Sequence, residues 1–354
     1  MSSWTWSAEA RGRLAEFLEA RGLTSGPVST RPIGDGHSNL TYLVSDADGR
    51  QVVVRRPPPP PTPPGAHDML REAQLVGALG DGPVPVARLL ATAEAGEVID
   101  VHFYVMSFAE GPVVTERTPP PLNTPAVRRR IGLTLVDTLA DLHAVDWRAA
   151  GLDGFGRPEG FNERHLRRMA RLVADEHGEP PPHFAVIDSW LASRVPPESG
   201  AAIVHNDFRI GNVVLSPERP GRIAAVLDWE LATIGDPLFD LGYFLASVPG
   251  EPPHNPTQAL GTAMLEEGWP TRRELADRYA GRTGADLADL EWYTALALWK
   301  LAVLYEYGHR RATRGVGDPY YADQSLVQSF LSDAHRTAGL PPPPRPPAAT
   351  EVPG

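Results

Sequence analysis

One short polar segment, set between two apolar runs, constrains the fold of this chain more than any other feature. The segment His-Asn-Asp-Phe-Arg-Ile-Gly-Asn runs from His205 to Asn212, and a second carboxylate, Asp228, ends a later apolar run. The flanking apolar runs have the length and composition of short β-strands, which predicts that the polar segment is a loop. Asp207, Asn212 and Asp228 are therefore expected at strand ends, where side chains from separate strands can converge.

These three side chains match the needs of phosphoryl transfer. A carboxylate near a hydroxyl can accept its proton, and positioning with charge neutralisation supplies most of the catalysis. Amide and carboxylate oxygens are suitable ligands for Mg²⁺. The pattern predicts that Asp207 acts as the base while Asn212 and Asp228 hold Mg²⁺ against the phosphates of ATP. The alternative is that Asp207 and Asn212 are turn residues of a plain β-hairpin.

Composition narrows the class of protein. The chain has 354 residues and a net charge of -11, which argues against a nucleic-acid partner. It contains no cysteine, which excludes disulfides and thiolate metal sites. No secretory signal and no apolar run long enough to cross a bilayer is evident, so we expect a cytoplasmic enzyme with a small-molecule hydroxyl substrate and no membrane partner. The sequence leaves the oligomeric state open.

The pattern of apolar residues divides the chain into two parts and a tail. An amphipathic helix and several strands with one main helix precede residue 109, and mostly helices follow it. The fold class is therefore α+β, with a β-rich lobe over 1–108, a helical lobe over 109–338 and a Pro-rich tail over 339–354. Strands are predicted at 33–44 (as two strands), 51–55, 98–108, 202–204, 213–215 and 223–227. Helices are predicted at 7–20, 67–79, 124–145, 166–175, 184–195, 237–246, 271–282, 287–311 and 320–338.

A glycine-containing loop between the first two predicted strands is the candidate phosphate-binding loop. Glycines allow backbone N–H groups to approach phosphate oxygens, and side-chain donors can add to them. The residues are Gly34, Gly36, Ser38 and Asn39. A plain hairpin turn is the alternative when this loop is considered alone. The proline run from Pro57 to Pro64 is predicted to be a loop, because proline donates no backbone hydrogen bond.

The run from His205 to Tyr243 includes Leu-Asp-Trp-Glu from Leu227 and Gly-Asp-Pro-Leu-Phe-Asp-Leu-Gly-Tyr from Gly235. This run resembles the aminoglycoside phosphotransferase and choline kinase superfamily. The resemblance extends over roughly residues 28–335. It implies a protein-kinase-like fold of two lobes, with ATP and Mg²⁺ as cofactors.

By position, the resemblance implies roles for individual residues. Asp207 takes the place of the base, and Asn212 and Asp228 take the places of the magnesium ligands. His205 is expected to brace the catalytic loop, and Arg209 of the same loop is counted with the catalytic residues. The strand end at Met106 and Ser107 is expected to face the adenine, with core packing as the alternative for Met106. Glu230 is expected near the second metal or the nucleotide.

One position departs from the family pattern. The third strand normally carries a lysine that pairs with phosphates and with a helix glutamate. Here Arg55 stands in that place, and Glu72 has the spacing of its partner. Lys300 is the only lysine in the chain. Exchange of lysine for arginine throughout the chain, a distinct subfamily and impaired catalysis are three explanations of Arg55.

Two further segments are Val-Val-Arg-Arg-Pro-Pro after Val52 and Leu-Asp-Trp-Glu-Leu-Ala-Thr-Ile-Gly-Asp-Pro after Ala225-Val226. Together they are similar to the kinase-like branch associated with acyl-CoA dehydrogenases. That branch implies a hydroxyacyl-type acceptor. An aminoglycoside or macrolide phosphotransferase is the second hypothesis, and a non-catalytic nucleotide-binding module is the third. An aminoglycoside is a polycation and would need an acidic cleft. The possible donors are Asp236, Glu266, Glu267 and Glu306.

Structural roles are favoured for three polar residues. Asp240 could brace the catalytic loop from a helix N-terminus, Asp236 could cap that helix, and His143 reads as a core histidine. Core packing is likewise expected for Trp292 and Trp299 of a long aromatic helix. Arg310, Arg311 and Arg314 follow that helix, where they are either solvated or in contact with an anionic substrate.

Overall fold

The computed structural model describes residues 6–34, 39–58, 67–250 and 262–344. Its strands are β1 (Ser29–Pro32), β2 (Leu40–Ser45), β3 (Gln51–Arg56), β4 (Leu89–Ala93), β5 (Phe103–Ser107), β6 (Ala202–Val204), β7 (Val213–Leu215), β8 (Ile223–Val226) and β9 (Thr233–Gly235). Its α-helices are α1 (Ala8–Glu19), α2 (Met69–Leu79), α3 (Pro125–His143), α4 (Phe161–Val173), α5 (Ala185–Ala192), α6 (Pro237–Ala246), α7 (Arg272–Thr283), α8 (Leu290–Thr313) and α9 (Ser325–Thr337).

The N-terminal part is an antiparallel sheet with the strand order β1-β2-β3-β5-β4. Helix α1 covers one face, where Leu14 and Phe17 pack with Val52 and Val54 of β3. Because side chains alternate along a strand, Arg55 is on the opposite face of β3 from these valines. That is the face on which α2 lies, since Met69 and Ala73 of α2 pack against Tyr104 of β5. The sheet thus aims Arg55 toward α2.

The remainder is mainly helical, and its largest helix, α8, is buried along most of its length. Helix α6 packs closely against it, because Gly242 faces the backbone of α8. A Cβ at Gly242 would lie 2.7 Å from the Tyr293 carbonyl carbon, so any larger residue would push the two helices apart. The predicted α+β class with a β-rich N-terminal part and a helical C-terminal part is therefore confirmed.

Two short ribbons carry the polar loops. Strand β6 pairs with β9, whereas β7 pairs with β8. The alternative interpretation of Asp207 and Asn212 as turn residues of a hairpin is therefore wrong, because the strands before and after the loop belong to different ribbons. The loop from His205 to Asn212 crosses from one ribbon to the other.

Several predicted boundaries are wrong. The first strand ends at Pro32 rather than beginning at Ile33. Of the range 98–108 that was predicted as a strand, only β5 forms one. Strands β4 and β9 were not predicted, because their short apolar runs lack a clear alternation. Helix α4 begins at Phe161, earlier than expected. The helix predicted over 320–338 is interrupted, because a short 3-10 helix at Pro319–Ala322 ends before α9 begins at Ser325. Between them the Asp323 side chain accepts a hydrogen bond from the Ser325 N–H.

No helix among the described residues is both long and apolar enough to cross a membrane. The end of the predicted Pro-rich tail, residues 345–354, lies outside the described residues.

Candidate active site

The backbone that leads into the candidate base is held by a side chain from α6. The Asp240 carboxylate accepts hydrogen bonds from the N–H groups of His205, at 2.5 Å, and Asn206, at 2.7 Å. Asn206 has a positive φ of 67°, a left-handed conformation that costs energy for any residue with a Cβ. Asp240 is fully buried, so these two charge-assisted hydrogen bonds form away from water. Asp240 thus has the geometry expected of a brace on this loop.

His205 connects the loop to the strand end that precedes Asp228. Its Nδ1 accepts from the Asp207 N–H at 3.2 Å, so its Nε2 carries the proton and donates to the Leu227 carbonyl at 2.8 Å. The side chain is completely buried. His143, expected to be a core histidine, contacts Tyr279 at 2.7 Å and Asp240 at 3.4 Å behind the same loop.

The Asp207 carboxylate receives a hydrogen bond at each oxygen. The Tyr243 hydroxyl donates to Oδ1 at 2.6 Å, and the Asn212 amide nitrogen donates to Oδ2 at 2.7 Å. Arg209 lies beside it, with Nε 3.5 Å from Oδ1. Burial, together with the neighbouring Asp207 carboxylate, raises the pKa of Tyr243 well above its usual value, so its hydroxyl stays a donor. One fifth of the Asp207 side chain remains exposed.

The two candidate metal ligands lie at the same end of the β7–β8 ribbon. The Leu227 N–H donates to the Asn212 carbonyl at 2.8 Å, which places Asp228 next to the catalytic loop. Because the Asn212 amide nitrogen donates a hydrogen bond to Asp207, the amide oxygen of Asn212 is left to contact a cation. Asp228 has a φ of 66°, and about a third of its side chain is exposed. Among the described residues no group of three or more His, Asp or Glu side chains could hold a metal, so a cation here would keep water or phosphate ligands.

Arg55 joins the sheet to the candidate metal loop. Its Nε lies 3.0 Å from Glu72, one terminal nitrogen lies 2.5 Å from Asp228, and the other donates to Thr41 at 3.1 Å. Tyr104 donates to the same Glu72 oxygen at 3.1 Å. Burial alone would lower the pKa of Arg55, but the carboxylates of Glu72 and Asp228 raise it above its usual value. The predicted pairing of Arg55 with Glu72 is present.

The candidate phosphate loop is described only at its ends, since Gly36 and Ser38 lie outside the described residues. Gly34 has a positive φ of 77°, which suits glycine. Asn39 is buried, and its amide nitrogen donates to Glu230 at 2.7 Å. Asn39 therefore links the loop to the residues after β8, and Glu230 lies 3.8 Å from Arg55.

The strand end expected to face adenine is largely occupied by protein contacts. Met106 packs with Met69 and Tyr104, as its core-packing alternative supposes. The Ser107 N–H donates to the Arg88 carbonyl, and the Ser107 hydroxyl accepts from the Arg88 N–H, both at 2.9 Å. A nucleotide contact by the backbone donor of Ser107 is therefore disfavoured.

The side chains considered for the acceptor are mostly engaged within the protein. Trp292 and Trp299 are core residues, at 4% and 0% exposed. Arg310 pairs with Glu306 at 2.8 Å, and Arg311 donates to the Val316 carbonyl at 3.2 Å.

Two residues at the site were not singled out from the sequence. Tyr243 lies three residues after Asp240 in α6, which puts both side chains on one helix face. Lys300 lies far from the catalytic loop in the sequence, yet its Nζ donates to the Asn206 carbonyl at 2.7 Å. Its being the only lysine was the available signal.

Comparison with known proteins identifies the family. The model of the phosphotransferase enzyme family matches residues 29–275. The chain belongs to this family. It is 29% identical over 305 residues to acyl-CoA dehydrogenase family member 10 of Mus musculus, covering 85% of this chain and 28% of that protein. It is 36% identical over 220 residues to family member 11 of Gallus gallus, covering 62% and 28%.

Solved structures agree with this assignment. A candidate aminoglycoside phosphotransferase from Ralstonia eutropha is 27% identical, with a TM-score of 0.74 over 92% of this chain and 98% of that one. Choline kinase from Cryptosporidium parvum, 11% identical with a TM-score of 0.59, covers 92% and 94% and shares the fold. This chain is thus a member of the phosphotransferase enzyme family with a kinase-like fold. It spans less than a third of the length of the two dehydrogenase family members.

Proposed function

We propose that the protein transfers the γ-phosphoryl group of ATP to a hydroxyl of a small molecule, with Asp207 as the base. The observation that carries this proposal is the environment of Asp207. Its carboxylate is oriented by donors from Tyr243 and Asn212 yet stays partly exposed. A carboxylate held in this way can accept a hydroxyl proton as the oxygen attacks phosphorus.

The nucleotide is proposed to be held by four residues, namely Arg55, Glu72, Asn212 and Asp228. The Asn212 amide oxygen and the Asp228 carboxylate would hold Mg²⁺, which when bound neutralises phosphate charge. Arg55 is locked by Glu72 and presents its terminal nitrogens toward Asp228, where phosphate oxygens can replace part of its ion pairing. Gly34, Gly36, Ser38 and Asn39 are proposed to border the phosphates, and Arg209 to neutralise charge beside the base.

The acceptor we propose is a hydroxyacyl-type metabolite. The support is the likeness to family members 10 and 11 of the acyl-CoA dehydrogenases, at 29–36% identity. The cationic side chain next to the base also suits a neutral or anionic acceptor better than a polycation, since Arg209 lies 3.5 Å from Asp207.

An aminoglycoside acceptor is less well supported, because most of the acidic side chains that it would need are engaged within the protein. Asp236 is fully buried and accepts from Tyr293 at 2.6 Å, and Glu306 pairs with Arg310. Glu266 pairs with Arg128 at 3.4 Å. Three of the four acidic candidates therefore have protein partners instead of facing a cation.

The test is an ATP-consumption screen with Mg²⁺ against separate pools of hydroxyacyl-CoAs, choline-like alcohols, sugars, aminoglycosides and macrolides. We expect turnover with the hydroxyacyl pool, a loss of about 10³-fold or more in the Asp207→Asn variant, and unchanged binding of a non-hydrolysable ATP analogue. The exposed Asp153→Asn is the matched control and should keep wild-type activity.

Turnover that survives Asp207→Asn would refute the assignment of the base. Turnover only with aminoglycosides or macrolides would replace the proposed acceptor. Nucleotide binding without turnover in any pool would favour the non-catalytic module.

A further inference from the structure

Lys300 occupies an unusual place for the only lysine of a chain that holds 33 lysine and arginine residues in all. It lies in the middle of α8 and is 3% exposed. Lysine is seldom fully buried unless its charge is compensated. All the remaining Lys and Arg positions hold arginine. The single lysine ammonium group therefore lies in the interior of the protein, next to the catalytic loop.

The surroundings of the ammonium explain how it is accommodated. Nζ donates to the Asn206 carbonyl at 2.7 Å. It also lies 4.9 Å from the ring centre of Tyr243 and 5.1 Å from that of Phe239, within the range of cation–π attraction. A compact ammonium fits between two rings more readily than a planar guanidinium, which brings five N–H donors to satisfy.

Lys300 completes a set of restraints on consecutive peptide groups. Asp240 holds the N–H groups of His205 and Asn206. The following peptide, which joins Asn206 to Asp207, is held at its carbonyl by Lys300 and at its N–H by the His205 ring. The orientation of that peptide determines where the Asp207 side chain begins. Without Lys300, the left-handed Asn206 loses the restraint on its carbonyl.

We propose that Lys300 is a positioning residue for Asp207, and that phosphoryl transfer requires Lys300 in its ammonium form. This inference rests on the proposed function of Asp207. Lys300 does not contact the reacting atoms in this arrangement; it acts through the Asn206 carbonyl and the adjoining peptide.

The charge of Lys300, and therefore the proposed role, depends on pH. Burial lowers the pKa of Lys300 to about 8, although Asp207 and Asp240 oppose the change and Arg168 adds to it. Burial, and then Lys300, lower the pKa of His165 well below its usual value, so this neighbour stays neutral. His143 is a further titratable side chain beside Asp240, with its Nε2 3.4 Å from the carboxylate. Lys300 is thus mainly protonated at pH 7 and loses its charge as the pH rises through about 8.

One test needs no turnover. Because the chain has a single lysine, growth on ¹³C-labelled lysine gives one side-chain signal, which can be followed by NMR in the full-length protein. We expect a titration midpoint near 8 in the wild type and a lower midpoint in Asp207→Asn, which removes a carboxylate that favours the charged form. The Asp153→Asn variant should match the wild type. A midpoint near the ordinary lysine value of about 10.4 would overturn the predicted loss of charge near pH 8, and with it the expected fall of kcat above that pH.

The second test compares Lys300→Met and Lys300→Arg with Thr294→Val, a buried change on the same helix. For Lys300→Met we expect kcat to fall 10- to 100-fold, KM for ATP to stay within twofold, and amide exchange at Asn206 and Asp207 to quicken. Wild-type kcat should fall above pH 8. Thr294→Val should change none of these.

If Lys300→Met does not fold, Lys300→Arg and the wild-type pH profile decide. Because arginine keeps its charge, kcat of Lys300→Arg should not fall above pH 8 as that of the wild type does. Wild-type kcat that stays constant to pH 9.5 while the NMR signal titrates near 8 would overturn the proposal, as would normal kcat and normal amide exchange in Lys300→Met. Absence of turnover in the wild type is a different result. It would remove the proposed function, while quickened exchange in Lys300→Met would still support the restraint on the loop.

Discussion

At the scale of single residues, Arg55 shows why an arginine can replace the usual lysine of this position without being equivalent to it. Three different nitrogens of its guanidinium reach Glu72, Asp228 and Thr41. A lysine has one nitrogen at the end of its chain and cannot reach all three at once. Exchange of lysine for arginine throughout the chain does not by itself account for this network.

We therefore expect Arg55→Lys to lower kcat/KM for ATP about 10- to 100-fold, since a hydrogen bond to a charged group contributes about 1.5–3 kcal/mol. Steady-state kinetics at saturating acceptor provides the measurement. Arg31→Lys, at an exposed position on β1, serves as the control. Activity equal to or above that of the wild type in Arg55→Lys would mean that the arginine reflects composition alone.

At the scale of secondary structure, α5 and α8 are joined by a partly buried acid. The Asp188 carboxylate accepts a hydrogen bond from the Trp299 indole, and burial raises the pKa of Asp188 to about 7. Between about pH 4 and 7 the folded state then binds more protons here than the unfolded state, so the contribution of Asp188 to stability falls as the pH rises.

Asp188→Asn keeps an acceptor for Trp299 and removes the partly buried charge. We expect its free energy of unfolding to exceed that of the wild type by roughly 1 kcal/mol at pH 8, with the advantage disappearing toward pH 4. Urea denaturation across this pH range is the measurement, with Asp153→Asn as the control. A constant difference at all pH values would show that Asp188 does not change its proton binding on folding.

The elements that the sequence predicted correctly are those with a strong periodic pattern, such as α6 and α8. Strands β4 and β9 were missed, because each is short and is defined by its partner strand and not by its own residues. The same distinction applies to the site. The spacing within His205–Asn212 is local and readable, whereas the contact of Lys300 with Asn206 joins residues 94 positions apart.

At the scale of the whole molecule, the sheet-bearing part and the helical part are connected by apolar packing of α2 and, in addition, by polar contacts. Arg71 of α2 donates to the carbonyls of Ala232, at 2.9 Å, and Phe155, at 2.7 Å, and its guanidinium lies 3.8 Å from the Phe155 ring centre. No pattern in the sequence indicates these contacts, because both carbonyls belong to the backbone of distant segments.

Arg71→Met should leave two partly buried carbonyls without their donor. We expect the free energy of unfolding to fall by about 2 kcal/mol, and amide exchange in α2 to become faster. Calorimetry and hydrogen exchange measure the two effects, and the exposed Arg88→Met is the control. Unchanged exchange in α2 would indicate that packing alone holds the helix in place.

The interior position of Lys300 also has a practical consequence. Reagents that acylate amines find one ε-amino group in this chain, and it is shielded from solvent while the protein is folded. Apart from the terminal amine, labelling by such reagents should therefore be nearly absent in the native protein and complete after denaturation. A single mass increment on Lys300 would count unfolded molecules directly, without an introduced probe.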